Sequence, residues 1–146
     1  MSHHSHAAGV YPALSYRDPA AALDWLESAF GFERLMEARM PDGNLVHAEM
    51  KLGNGVIMLG PSHPQMGWTS PLDLPAVNQS VYVVVDDPDS HCAQARGAGA
   101  EIVREPNDTP YGSREYGVKD LEGHIWSFGT YVPQLTPSGE VAAVSS

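Results

Sequence analysis

The chain has 146 residues, 42% of them apolar, which is enough to give one compact unit a buried core. Its formal net charge of −10 argues against nucleic acid and anionic membrane surfaces as partners, since both would repel it. The polar start MSHHSHAAG lacks the apolar stretch of a signal peptide, no run approaches the ~20 apolar residues of a membrane span, and the one cysteine, Cys92, has no internal disulfide partner; a cytoplasmic protein is expected.

In chain order, residues 1–9 read as a flexible terminus. Its His3, His4 and His6 can bind metal adventitiously and stand apart from the fold. Val10 to Tyr16 alternates as a strand does. Asp18-Pro19 then opens a helix: the aspartate can accept from free backbone N–H groups, and proline loses nothing at the first helical position. Leu23, Leu26 and Phe30 form its apolar stripe, and Gly31 stops it. Three strands follow at about 32–40, 44–52 and 56–60, with Asp42-Gly43 and Asn54-Gly55 as turns. Pro61 to Asn78, with four prolines, reads as a linker; its Trp68 is expected to find cover at a cavity mouth or on a partner. A second strand–helix unit follows, at 79–85 and from the Asp87 cap to Gly97 or Gly99, with Cys92 as a small packed residue. Strands at about 101–108, 113–119 and 124–131 complete it, Glu122-Gly123 forming the last turn, and 132–146 reads as a frayed tail.

The two halves are copies of one βαβββ module, 10–61 and 79–131, and the fold class is α+β. A shift of 69 residues without a gap lays Asp18-Pro19 on Asp87-Pro88, Pro41 on Pro110, Gly43 on Gly112, Leu52 on Leu121 and Gly60 on Gly129. Strand parity then separates two faces. Leu14, Tyr16, Val46, Ala48, Met50, Ile57 and Leu59 form the helix-packing face of the first module, and Val81, Val83, Val85, Trp126 and Phe128 that of the second. Trp126 and Phe128 would lie against the small helix residues Cys92, Ala95 and Ala98. The other face collects Tyr11, Ser15, His47, Glu49, Met58, Ser80, Tyr82 and Ser127. The 69-residue shift adds Arg114 and Tyr116, with Val118, to that set. His63 and His91 read as surface residues, and His124 as structural or exposed.

The order strand–DP–helix–GF, then dGxxxHAE, then YGSREYGVKDLEGHIWSFGTY resembles the vicinal-oxygen-chelate superfamily, and within it the glyoxalase/bleomycin resistance protein/dioxygenase-like proteins. The resemblance covers about residues 10–131 and implies one domain in which the modules form a curved, barrel-like mixed sheet around a ligand-holding concavity. It also implies a homodimer, sometimes with modules exchanged between chains, which covers otherwise open sheet edges. Metal-binding relatives place His early and Glu late in each module. Those slots hold Tyr11, Ser80, Met58 and Ser127 here, a set without the imidazole or carboxylate donors a catalytic divalent metal requires. No metal and no cofactor is therefore expected.

Three functions stay open. The first is metal-free binding of a small organic molecule, with Tyr11, Ser15, Met58, Ser80, Tyr82 and Ser127 as lining. The second is a metal-independent lyase or isomerase with His47 as base, Glu49 raising its basicity, and Arg114 or Tyr116 stabilising developing charge. Arg114 is equally suited to clamping an anionic group or pairing with Glu49. The third is a metal-dependent glyoxalase or dioxygenase using His47 and Glu49.

Overall fold

Both helices begin where an aspartate caps them. Asp18 accepts from the Ala21 N–H at 3.0 Å and Asp87 from the Ser90 N–H at 3.1 Å, each followed by proline. The computed structural model describes residues 7–139; His3, His4 and His6, and the tail from 140 on, lie outside them. The first module is β1 (Ala13–Tyr16), α1 (Pro19–Phe30), β2 (Glu33–Arg39), β3 (Leu45–Leu52) and β4 (Gly55–Pro61). The second is β5 (Ser80–Val84), α2 (Pro88–Gly97), β6 (Glu101–Asp108), β7 (Arg114–Lys119) and β8 (Ile125–Gly129). Each forms its own four-stranded mixed sheet, ordered β1-β4-β3-β2 and β5-β8-β7-β6, with the first strand parallel to the last. The linker carries two short 3₁₀ turns, Pro64–Met66 and Pro71–Asp73.

One core joins the modules through their helix-packing faces. Leu23, Leu26 and Phe30 of α1 are buried with Ile57 and Leu59, and Cys92 and Ala95 of α2 with Tyr116, Val118, Trp126 and Phe128. The small side chains of α2 leave room that the other module fills: Phe30 meets Trp126 at 5.3 Å and Phe128 at 4.8 Å between ring centroids, and Phe32 meets Trp126 at 5.6 Å. Burying a ring of this size removes about 150–250 Å² from water, so these contacts help to hold the halves together. The opposite face of each sheet points away from this shared core.

Two local irregularities break the 69-residue correspondence. In β3, Ala38 pairs with His47 but Arg39 with Leu45, so Val46 is an extra, bulged residue. Leu45 takes the core position in its place, and Val46 is 42% exposed. In compensation the β7–β8 connection is one residue longer than the β3–β4 one: Lys119 pairs with Ile125, whereas Lys51 pairs with Val56. Between the bulge and this turn the true correspondence is 68 residues, and a one-residue slip inverts every face. Tyr116 and Val118, paired with Phe128 and Trp126, therefore lie in the core. Glu115 and Gly117 face outward instead. The β3–β4 turn is also corrected, to Gly53-Asn54, with Gly53 at φ +58°.

Candidate functional site

The open face of the first sheet gathers most of the residues singled out there. Ala13 lies beside Met58 and Glu49 across from it, all on one side of the sheet. His47 Nε2 is 2.8 Å from Glu49 Oε2. Ala13, His47 and Met58, with Ser15 and Gly60, border a cavity of about 330 Å³ whose border also includes His63 and Trp68 of the linker. The linker is folded to bring these two together: the His63 N–H donates to the Trp68 carbonyl at 2.7 Å, and the two rings lie 6.2 Å apart. Trp68 remains 54% exposed, at the rim. It also borders a larger space of about 840 Å³ between β1, the linker and β5, lined by Tyr11, Ser15 and Ser80 among others.

The open face of the second sheet carries Tyr82 and Ser127, which are paired neighbours. Tyr82 donates to the Tyr131 carbonyl at 2.7 Å. Beside it Glu115 is almost fully buried, accepting from the Tyr111 hydroxyl at 3.0 Å on both oxygens, with the Arg104 guanidinium 3.8 Å away. Gly129 makes this possible, because a Cβ there would lie 2.5 Å from Glu115 Cγ and 2.9 Å from the Tyr82 oxygen. Glu115, Tyr111, Tyr131 and Arg104 are not among the residues that the sequence pattern singles out. The longer turn after Lys119, visible when KLGNGV is set against KDLEGHI, is the signal that exposes the slip.

Two expected site residues lie elsewhere. Arg114 is on the helix side, bound to Asp89 at the start of α2 (2.7 Å) and to Asp108 (3.2 Å), and is not paired with Glu49. Tyr116 is buried and donates to His91 Nδ1, while His91 Nε2–H donates to the Phe30 carbonyl at 2.8 Å. Neither shares a face with His47. His91 is thus no surface residue but a link between α2 and the first module, and burial lowers its pKa and raises that of Tyr116.

The DLEGH turn is likewise structural. Asp120 Oδ2 accepts from the Tyr16 hydroxyl (2.6 Å) and the Trp126 indole (3.1 Å), and Oδ1 from the backbone of Glu122, Gly123 and His124. Burial, then the Asp120 carboxylate, pushes the Tyr16 phenol well up, so it stays a donor. Glu122 accepts from the Arg17 and Asp18 N–H groups and from Ser70, and His124 bonds the Ser15 carbonyl. β1 is thereby held at a fixed place beside the second module.

None of Tyr11, Met58, Ser80 and Ser127, at the expected ligand slots, carries an imidazole or a carboxylate. Strand pairing puts Ala13 beside Met58 and Tyr82 beside Ser127, with Tyr11 ahead of β1 and Ser80 at the start of β5. Among the described residues no three His, Cys, Asp or Glu side chains come together to hold an ion. No helix among them is long and apolar enough to cross a membrane.

The family model of the Glyoxalase/Bleomycin resistance protein/Dioxygenase superfamily matches residues 5–128. An uncharacterized protein of Mycobacterium bovis is 35% identical over 147 aligned residues, covering 96% of this chain and 97% of that one. The crystal structure of TioX from Micromonospora sp. ML1 matches with a TM-score of 0.68 at 35% identity, over 88% of this chain and 100% of that one. TnmS3, an antibiotic binding protein from Streptomyces sp. CB03234, shares the fold with a TM-score of 0.64 at 20% identity, over 86% and 97% of the two chains.

Proposed function

The chain belongs to the Glyoxalase/Bleomycin resistance protein/Dioxygenase superfamily, and from that premise we propose that it binds a small organic molecule, without a metal, on the open faces of its sheets. The observation that carries this is the pair of faces itself. Both point away from the shared core, and both mix rings, apolar groups and hydrogen-bonding side chains, as ligand sites do. Because the modules meet through their helix-packing faces, the two open faces do not oppose each other within one chain. A cytoplasmic homodimer supplies the second wall, the first module of one copy facing the second module of the other. TnmS3, with the same fold, is an antibiotic binding protein, and the rings on the open faces suit a planar or hydrophobic small molecule.

Thermal unfolding with a panel of planar antibiotics tests the proposal. A binder at a hundred times its Kd stabilises the protein by about 2.7 kcal/mol. Met58→Glu and Tyr82→Ala are expected to abolish the shift. A shift that survives both changes would put the ligand elsewhere.

A second reading rests on the 2.8 Å contact between His47 and Glu49. An imidazole oriented by a carboxylate at a cavity wall is equipped to take a proton from a bound ligand, as in a metal-independent lyase or isomerase. An activity abolished by His47→Ala, with ligand binding retained, would favour it. Arg114 and Tyr116 do not take part in that reading, since they face the core side.

A further inference from the structure

We infer that the open face of the second sheet is a subsite for the cationic group of an organic ligand, with Tyr82, Tyr111 and Tyr131 as walls and the Glu115 carboxylate as floor. This rests on the small-molecule reading above and adds the chemistry of the ligand. Tyr111 and Tyr131 meet edge-to-face at 5.9 Å, and Tyr131 and Tyr82 are 6.5 Å apart. The faces of such rings carry negative potential, which favours a cation within about 6 Å. Tyr111 is 58% and Tyr131 46% exposed, so two large rings stand in water around an acid that does not.

Glu115 is the unusual member. Its side chain is only 7% exposed, yet its two oxygens share a single hydroxyl donor, Tyr111. A carboxylate offers about four acceptor positions, and the Arg104 guanidinium, its ion-pair partner at 3.8 Å, lies beyond hydrogen-bonding distance. The carboxylate thus retains acceptor capacity in a place where an ammonium or guanidinium group would fill it. Tyr111, the group covering the acid, sits at the tip of the β6–β7 turn, next to Gly112 at φ +85°. The close approach of Glu115 to Tyr82 depends on Gly129, whose missing side chain leaves room for both. The chain's net charge of −10 raises the local concentration of cations further. An anion would find only Arg104, and would have to approach Glu115 to reach it.

The test is a titration of the full chain, followed by the ring signals of Tyr82, Tyr111 and Tyr131, with three probes: phenyltrimethylammonium, the neutral near-isostere cumyl alcohol and the anion phenylacetate. The cation is expected to bind about tenfold more tightly than the alcohol. Glu115→Gln should remove most of that preference. Tyr111→Phe, which keeps the ring and frees the carboxylate, should tighten the cation severalfold; this second variant keeps the inference testable if Glu115→Gln does not fold. Equal affinity for cation and alcohol, a preference for phenylacetate, or unchanged discrimination in either variant would overturn the inference. Alcohol or phenylacetate binding at these same rings would still leave the small-molecule reading standing. Probes whose shifts map to neither open face would count against that reading as well.

Discussion

Asp120 gathers five donors onto one buried carboxylate, and two of them, the Tyr16 hydroxyl and the Trp126 indole, belong to different modules. Removing it leaves those donors buried without an acceptor, which is costlier than losing the bonds themselves. Asp120→Ala is therefore expected to destabilise the protein by about 3–5 kcal/mol in denaturant unfolding; a change under about 1 kcal/mol would show that water replaces the carboxylate. His91 gives a pH-dependent counterpart. Burial holds its pKa below the ordinary value of about 6.5. Above that value folded and unfolded chains are both neutral at this site, and its full contribution is present. As pH falls below it, the unfolded chain takes a proton that the folded chain resists, so stability is lost towards and through the folded pKa. Comparing thermal midpoints at about pH 7.5 and 5.5, the wild type should fall further than His91→Asn. An equal fall in both would remove His91 as the cause.

At the scale of elements, the caps, turns and alternation of the sequence carry most of the fold, and they do so for physical reasons. Asp18-Pro19 and Asp87-Pro88 leave little freedom about where α1 and α2 begin, and Glu101 to Asp108 is the extent of β6. Face assignment from alternation is correct wherever a strand is regular, as at Val81, Val83, Trp126 and Phe128. It fails in β7, because the bulge at Val46 and the longer turn after Lys119 cancel in overall length. A gapless match at both ends then conceals a one-residue slip between them, and this puts Arg114 and Tyr116 on the wrong side. His47 and Glu49 are legible because they follow the bulge, and Glu49 and Met58 pair directly on a regular stretch of β3 and β4. The linker is the element whose placement ties fold to ligand. Trp68 borders both cavities while remaining half exposed, so a ligand or a second copy has a ring to cover. Trp68→Ala is expected to lose about 1–3 kcal/mol of ligand or dimer affinity with an unchanged far-ultraviolet circular dichroism spectrum. Unchanged binding and unchanged association in that variant would reduce the linker to a spacer.

For the whole molecule, the arrangement of the modules decides what the protein can do. A core shared between the helix-packing faces stabilises the single chain, and the same arrangement turns His47, Glu49 and Met58 away from Tyr82, Glu115 and Ser127. On the binding function proposed above, each chain would present two half-sites and complete neither. Exposed apolar side chains beside them, including Met36 and Val46 in the first sheet and Val84 and Val103 in the second, are surface that a second copy would remove from water. The chain mass is 15.7 kDa, and molar mass by light scattering across micromolar concentrations tests this most directly. About twice the chain mass is expected at every concentration. A mass of one chain throughout would contradict it, because each half-site would then stand open with only one wall.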